Sequence, residues 1–183
     1  MSKQIVLTAG QKAISINRDK SIYGSFVEIG AGQEVARQFF RVGSASKTIA
    51  KTMSAYDRDF SDAIYGKEDD GRYVCKSRLN KMLNQEYDLL EERLNRNDHK
   101  ETRYFVFADT VTTINYKKTN KGHGWIGLRF QLDPKKKPND FLIHVRLKDQ
   151  EARLQQETIG VIGTNLMYGC YNETDPKLIL TQL

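Results

Sequence analysis

Three runs of alternating apolar residues, set close together and joined by polar links, constrain this chain more than any other feature. Tyr104–Val111, Trp125–Leu132 and Phe141–Leu147 each place apolar side chains at every second position, the period of a half-buried strand. The links between them are too short to hold crossover helices, so an antiparallel meander is the simplest arrangement. A sheet of this kind must cover an apolar face, and the rest of the chain offers helices to do it. The clearest spans Cys75 to Asn95, with Leu79, Met82, Leu83, Tyr87, Leu90 and Leu94 on one stripe and charges opposite. A last long helix, capped by Asp149, runs through Leu154, Ile159, Ile162, Leu166 and Met167, and its Gly160 and Gly163 mark close packing.

The first third of the chain reads as a mixture. Ile5–Thr8 and Ala13–Ile16 read as short strands around a turn at 9–12, and Tyr23–Ile29 as a further strand. Gln33–Phe40 is rich in helix formers. The spacing of Ile49, Met53, Tyr56, Phe60 and Ile64 predicts a helix over 47–65 that stops at Gly66. Near the end, Asp175-Pro176 pairs a cap with a proline at the first helical position, and Leu178, Ile179, Leu180 and Leu183 follow. The expected fold class is therefore α+β: an antiparallel, or mixed, sheet with helices packed on one face. The expected organisation is a single domain over 1–172, with 173–183 the start of a further element cut short.

Charge and composition narrow the function classes. With 39% apolar and 28% charged residues and only 3 Pro, the chain is neither a disordered segment nor a low-complexity one. Cys75 and Cys170 stand far apart with no ligand-rich surroundings, which points to reduced, packed thiols rather than a disulfide frame or a metal site. No run approaches the ~20 apolar residues of a membrane helix, and the N-terminus has no secretory pattern, so a cytoplasmic protein without membrane contact is expected. Lys+Arg exceed Asp+Glu by 29 − 23 = 6, but the two signs are interleaved, which disfavours nucleic acid as partner. The pure run Lys135-Lys136-Lys137 sits between Pro134 and Pro138 and reads as a solvated turn.

Candidate sites come from three places. Gly30-Ala31-Gly32 lies between a strand and a helix, a context that suits a tight turn, a phosphate-holding nucleotide loop or an S-adenosylmethionine loop, although the third glycine of either cofactor fingerprint is replaced. Gly43-Ser44-Ala45-Ser46-Lys47-Thr48 lacks the glycine a P-loop needs before its lysine; it reads as helix entry capped by Ser46, with Lys47 available to an anion. Alternation then groups Trp125, Arg129 and Gln131 with His144 and Arg146 on the sheet face opposite the apolar rows. Guanidinium forks suit phosphate or carboxylate, and an indole stacks on rings. Asp109 on the preceding strand is expected to orient His144 or hold an arginine. His123 reads as a turn residue, and three separated histidines give no zinc pattern.

Several stretches resemble a large bacterial family: Ala9–Asn17, Gly30–Arg37, Ala55-Tyr56-Asp57 through Ser61–Gly66, and Gly124–Phe130. Members of that family carry the label nicotinate-nucleotide adenylyltransferase, and in some cases TonB-dependent receptor, and continue beyond this length. The resemblance implies a bacterial protein that is part of a longer chain. It carries no catalytic residue across. The first label requires a His-x-Gly-His motif, whereas Gly122-His123-Gly124-Trp125 holds one histidine; the second requires an export signal and a membrane barrel. The sequence thus leaves two expectations. One is a domain that binds a phosphorylated or nucleotide-like ligand through Arg129, His144, Arg146, Trp125 and Asp109, with Gly30, Gly32 and Lys47 nearby, and no cofactor or catalytic group specified. The other is an assembly module that docks onto itself, a partner or the rest of its own chain.

Overall fold

The computed structural model describes residues 6–183, so Ile5 of the first expected strand lies outside the described residues. The chain forms α1 (Ala9–Arg18), β1 (Ile22–Gly30), α2 (Val35–Arg41), a single 3-10 turn (Ala45–Lys47), β2 (Ile49–Ala55), α3 (Arg58–Tyr65) and α4 (Lys76–Arg93). Then follow β3 (Arg103–Thr112), β4 (His123–Phe130), β5 (Asn139–Arg146), α5 (Ala152–Asn172) and α6 (Pro176–Thr181). The five strands make one mixed sheet in the order β2-β1-β3-β4-β5. β1 runs parallel to both β2 and β3, while β3, β4 and β5 form the expected antiparallel meander.

Helices cover both faces, which corrects the expectation of one covered face. On one side Phe26, Phe105, Phe107, Ile126 and Leu128 pack against Ala13 and Ile16 of α1, Val35 and Phe39 of α2, and Ile159, Leu166 and Met167 of α5. Ile179 of α6 joins this same core. On the other side Val27, Ile29, Tyr104, Val106 and Ala108 meet Leu79, Met82, Leu83, Tyr87 and Leu90 of α4. The reason lies in β3, which is buried at every position from Tyr104 to Val111. A central strand with two apolar faces needs a layer on each. The α4 layer reaches β4 as well: a Cβ placed on Gly127 would stand 3.0 Å from Leu83 and 3.1 Å from Leu79. Gly163 of α5 lets the opposite layer close in the same way, against Val35 and Phe107.

Two elements differ from the sequence reading for local reasons. Residues 9–18 are helix, not strand, because Thr8 and Gln11 form a reciprocal capping box: Thr8 Oγ1 accepts the Gln11 N–H, and Gln11 Oε1 accepts the Thr8 N–H. The expected helix over 47–65 is instead β2 followed by α3, with Asp57 capping α3 and Gly66 ending it. The separation of four between Ile49 and Met53 fits one helical turn and two strand periods equally well, and the exposed Ala50, Thr52 and Ser54 between them show the strand alternation. The long last helix starts at Ala152 rather than at Asp149, whose carbonyl instead accepts from Gln155 Nε2.

A charged cluster is built into the α4 side. Arg78 is fully buried, with Nη2 donating to Asp62 at 2.8 Å and to the Gly66 carbonyl, Nη1 donating to the Ser61 carbonyl, and Nε 3.2 Å from Glu68. Glu86, also buried, pairs with Lys51 and accepts from the Tyr65 hydroxyl. Buried charges of this kind persist only when paired.

The topology fixes where a ligand site can lie. The connection from β1 leads outward to β2, and the chain then returns across β1 through α3 and α4 to place β3 on its other side. Strand order therefore reverses between β1 and β3, and crevices form at the carboxyl ends of strands beside such a point. The β3–β4 loop, the start of β4 and the end of β5 all lie at that same end.

Candidate functional site

At this end a cleft of about 680 Å³ opens between the β3–β4 loop and the segment after β5. Its walls include Lys118, Asn120, Lys121 and His123 on one side and His144, Arg146, Lys148 and Asp149 on the other. The loop is held by its own polar side chains. Asn115 Nδ2 donates to Thr119 Oγ1, Thr119 N–H donates to Asn115 Oδ1, and Asn120 Nδ2 donates to the Thr113 carbonyl. Gln155, buried at the start of α5, ties both walls together: its Oε1 accepts the Ile114 N–H at 2.7 Å, and its Nε2 donates to the Asp149 carbonyl at 2.7 Å.

His123 and His144 meet in this cleft, with His123 Nδ1 3.3 Å from His144 Nε2, so one imidazole donates and the other accepts. His123 pairs in register with Arg146, and Trp125 with His144, whose ring centroids stand 4.9 Å apart. Burial first, then the neighbouring His144 and Arg146, push the His123 pKa below its ordinary value and favour the neutral ring at pH 7. Four cations, Lys118, Lys121, Arg146 and Lys148, thus face a single carboxylate, Asp149, around two titratable rings. That arrangement attracts anions, and an anion would favour protonation of the imidazole pair.

The structure brings His144 and Arg146 together as the alternation predicts, with Trp125 beside them on the side toward α4. The other candidate residues go elsewhere. Arg129 stands six positions along β4 from His123, about 20 Å at strand rise. There its Nε and Nη2 donate to the two oxygens of Asp140 at 2.7 and 2.6 Å, and its Nη1 donates to Asn84. Gln131 is buried and donates to the Pro134 and Lys136 carbonyls, closing the β4–β5 turn. Asp109 points to the opposite face from His144, among the α2 and α5 contacts, and reaches neither that ring nor an arginine.

The glycine turn is folded down onto the sheet. Gly30 has φ +75°, and a Cβ there would lie 2.5 Å from the Val111 carbonyl oxygen, so only glycine fits. A Cβ on Gly32 would lie 2.1 Å from the Asp109 carboxylate. The N–H groups of Val35 and Ala36 that an incoming phosphate would use are taken by Glu28, whose two oxygens accept them at 2.8 and 3.3 Å. Lys47 is exposed at the amino end of β2, the opposite end of the parallel strands. His123, read from the sequence as a turn residue, is instead the first residue of β4 and lines the cleft; Lys118, Lys121, Lys148 and Gln155 are site residues that the sequence reading does not single out. Their signal was the lysine-rich loop that leads into Gly122-His123-Gly124.

No protein-family model matches the sequence, and no curated protein matches it. The fold, however, matches solved structures. A competence/damage-inducible protein from Agrobacterium tumefaciens has a TM-score of 0.64 at 14% identity, with 92% of this chain covering 100% of that one. A competence-damaged protein (CinA) superfamily protein from Klebsiella pneumoniae has a TM-score of 0.66 at 7% identity, covering 89% of this chain and 95% of that one. One from Enterobacter cloacae has a TM-score of 0.64 at 8% identity, covering 94% and 97%. At these identities the likeness shows a shared fold. These neighbours are competence/damage-inducible proteins of bacteria, and none of them carries either label of the resembling family, nicotinate-nucleotide adenylyltransferase or TonB-dependent receptor. No helix among the described residues is long and apolar enough to cross a membrane.

Proposed function

We propose that this chain binds a phosphorylated or nucleotide-like small molecule in the cleft between the β3–β4 loop and the end of β5. The observation that carries the reading is the surplus of cations around a cavity of ligand size: Lys118, Lys121, Arg146 and Lys148 against Asp149, in about 680 Å³. Arg146 supplies a planar fork for phosphate oxygens, and the His123–His144 pair supplies donors once it takes up a proton. The structural neighbours are bacterial proteins, which agrees with a bacterial source for this chain. Isothermal titration with inorganic phosphate and with adenosine monophosphate tests this. Arg146→Ala is expected to weaken binding about tenfold or more, the loss of one charge-assisted contact of 1.5–3 kcal/mol. Equal binding by the variant would overturn the assignment.

A second reading, an assembly module, rests on a different observation. β2 is an edge strand, and just past its end Tyr56 and Phe60 are exposed at 80% and 61%. Light scattering at high protein concentration tests it: association that Tyr56→Ser weakens supports this reading, and a monomer at every concentration removes it.

A further inference from the structure

The cleft makes no use of the two carboxyl groups buried at the reversal point of the sheet. Glu28 of β1 and Asp109 of β3 are register partners, so their side chains leave the same face one strand spacing, about 4.8 Å, apart. Both are buried, Asp109 completely. Their surroundings differ in one respect. Both oxygens of Glu28 accept backbone N–H groups of α2, whereas neither oxygen of Asp109 has a hydrogen-bond partner. A buried carboxyl group without a donor has one economical resolution, which is to keep its own proton and become the donor.

We propose that Glu28 and Asp109 share one proton, carried by Asp109 and donated to Glu28, and that this bond is a pH-sensitive latch holding the Gly30–Gly32 turn against the sheet. Gly32 rests directly on the Asp109 carboxyl group, and the Ala31 N–H donates to the Val111 carbonyl at 3.1 Å, so the turn stands on this pair. Among the described residues no cation pairs with either carboxyl group. The turn itself adds Glu34, a further anion, with which Arg37 of α2 pairs at 3.2 Å; β4 brings Ile126 beside Asp109, and α5 brings Gly160 and Gly163. Burial raises both carboxyl groups, Glu28 to about 7, and the neighbouring Glu28 adds to the rise of Asp109 well above its ordinary value; the group with two N–H donors is the one expected to ionise first. When base removes the Asp109 proton, two carboxylates face each other with donors for one. The turn must then lift to admit water.

Side-chain carboxyl carbon NMR on the full chain tests the proton directly. At about pH 6.5 the Asp109 carbon is expected at the position of a neutral acid, well apart from ordinary aspartates, which ionise near pH 4. An Asp109 signal that titrates with those aspartates overturns the proposal, and this measurement needs no variant. Hydrogen exchange tests the latch. Between about pH 6 and pH 9, protection of Ala31–Val35 should fall at least about fivefold after correction for intrinsic rates. In Asp109→Asn, whose amide donates at every pH, it should stay level. Wild type and variant changing alike would overturn the latch.

Discussion

The two halves of the sheet treat charge in opposite ways. In the parallel half, around β1, β2 and α4, charged groups are taken inside and matched by name: Arg78 to Asp62 and Glu68, Glu86 to Lys51 and Tyr65, Glu28 to two backbone N–H groups. In the antiparallel half the cations Lys118, Lys121, Arg146 and Lys148 stay at the rim of an open cleft. The difference follows from coverage. Helices enclose β1 and β3 on both faces, so a charge there must find a protein partner. At the end of β4 and β5 next to the cleft, His123, His144 and Arg146 keep water or a ligand as their partner, while at the other end Arg129 pairs with Asp140 at the surface. One half is built for cohesion and the other for exchange with solutes.

The largest blow to that contrast is Arg78→Ala. It removes a fully buried guanidinium from the half-buried Asp62 and the buried Glu68 and should cost about 3–5 kcal/mol in urea unfolding; a loss below about 1 kcal/mol would show that the cluster is not paired as described. Gly163→Val forces methyl groups into Val35 and Phe107, where even a bare Cβ would sit 2.5 and 2.8 Å away, and should cost about 1–3 kcal/mol or more. A pH series sharpens the comparison next. Glu28, ordinary near 4.5 when unfolded and raised to about 7 when folded, contributes stability that is full below about 4.5 and lost as pH rises through about 7. Thermal melts across that window should decline in wild type and Asp109→Asn alike, and wild type should fall below the variant only at higher pH, where Asp109 gives up its proton. In the open half, Arg129→Ala should change stability by no more than about 1 kcal/mol and leave phosphate affinity untouched, because its Asp140 pair is at the surface and distant from the cleft. Smallest in stability is Arg146→Ala, expected within about 0.5 kcal/mol of wild type while losing phosphate binding.

Much of the framework could be read from the amino acids. The meander from Tyr104 to Arg146, the α4 stripe and the Asp175-Pro176 start rest on local periodicity and caps, and each is found where expected. The misreadings share a cause. Ile49 and Met53 fit two periods at once, and the Thr8–Gln11 capping box is the short signal that outweighs the alternation of Ile14 and Ile16. Which face a helix covers is not a local property. The wide row Trp125, Arg129, Gln131 reads as one open surface until α4 is placed over its middle, leaving Gln131 buried at one end and the cleft at the other. Asp109 was legible as a chemically notable residue but not as one facing the other way, because its environment comes from α2 and the turn at Gly32.

The seam between β1 and β3 joins Ile22 to Arg103 and Gly30 to Val111, residues some eighty positions apart. Until β3 emerges from the ribosome, the inner edge of β1 therefore has no strand to pair with. For that interval Phe26 and Val27 have lost neither water nor the option of a wrong neighbour, and maturation of the whole molecule waits on a strand from its second half.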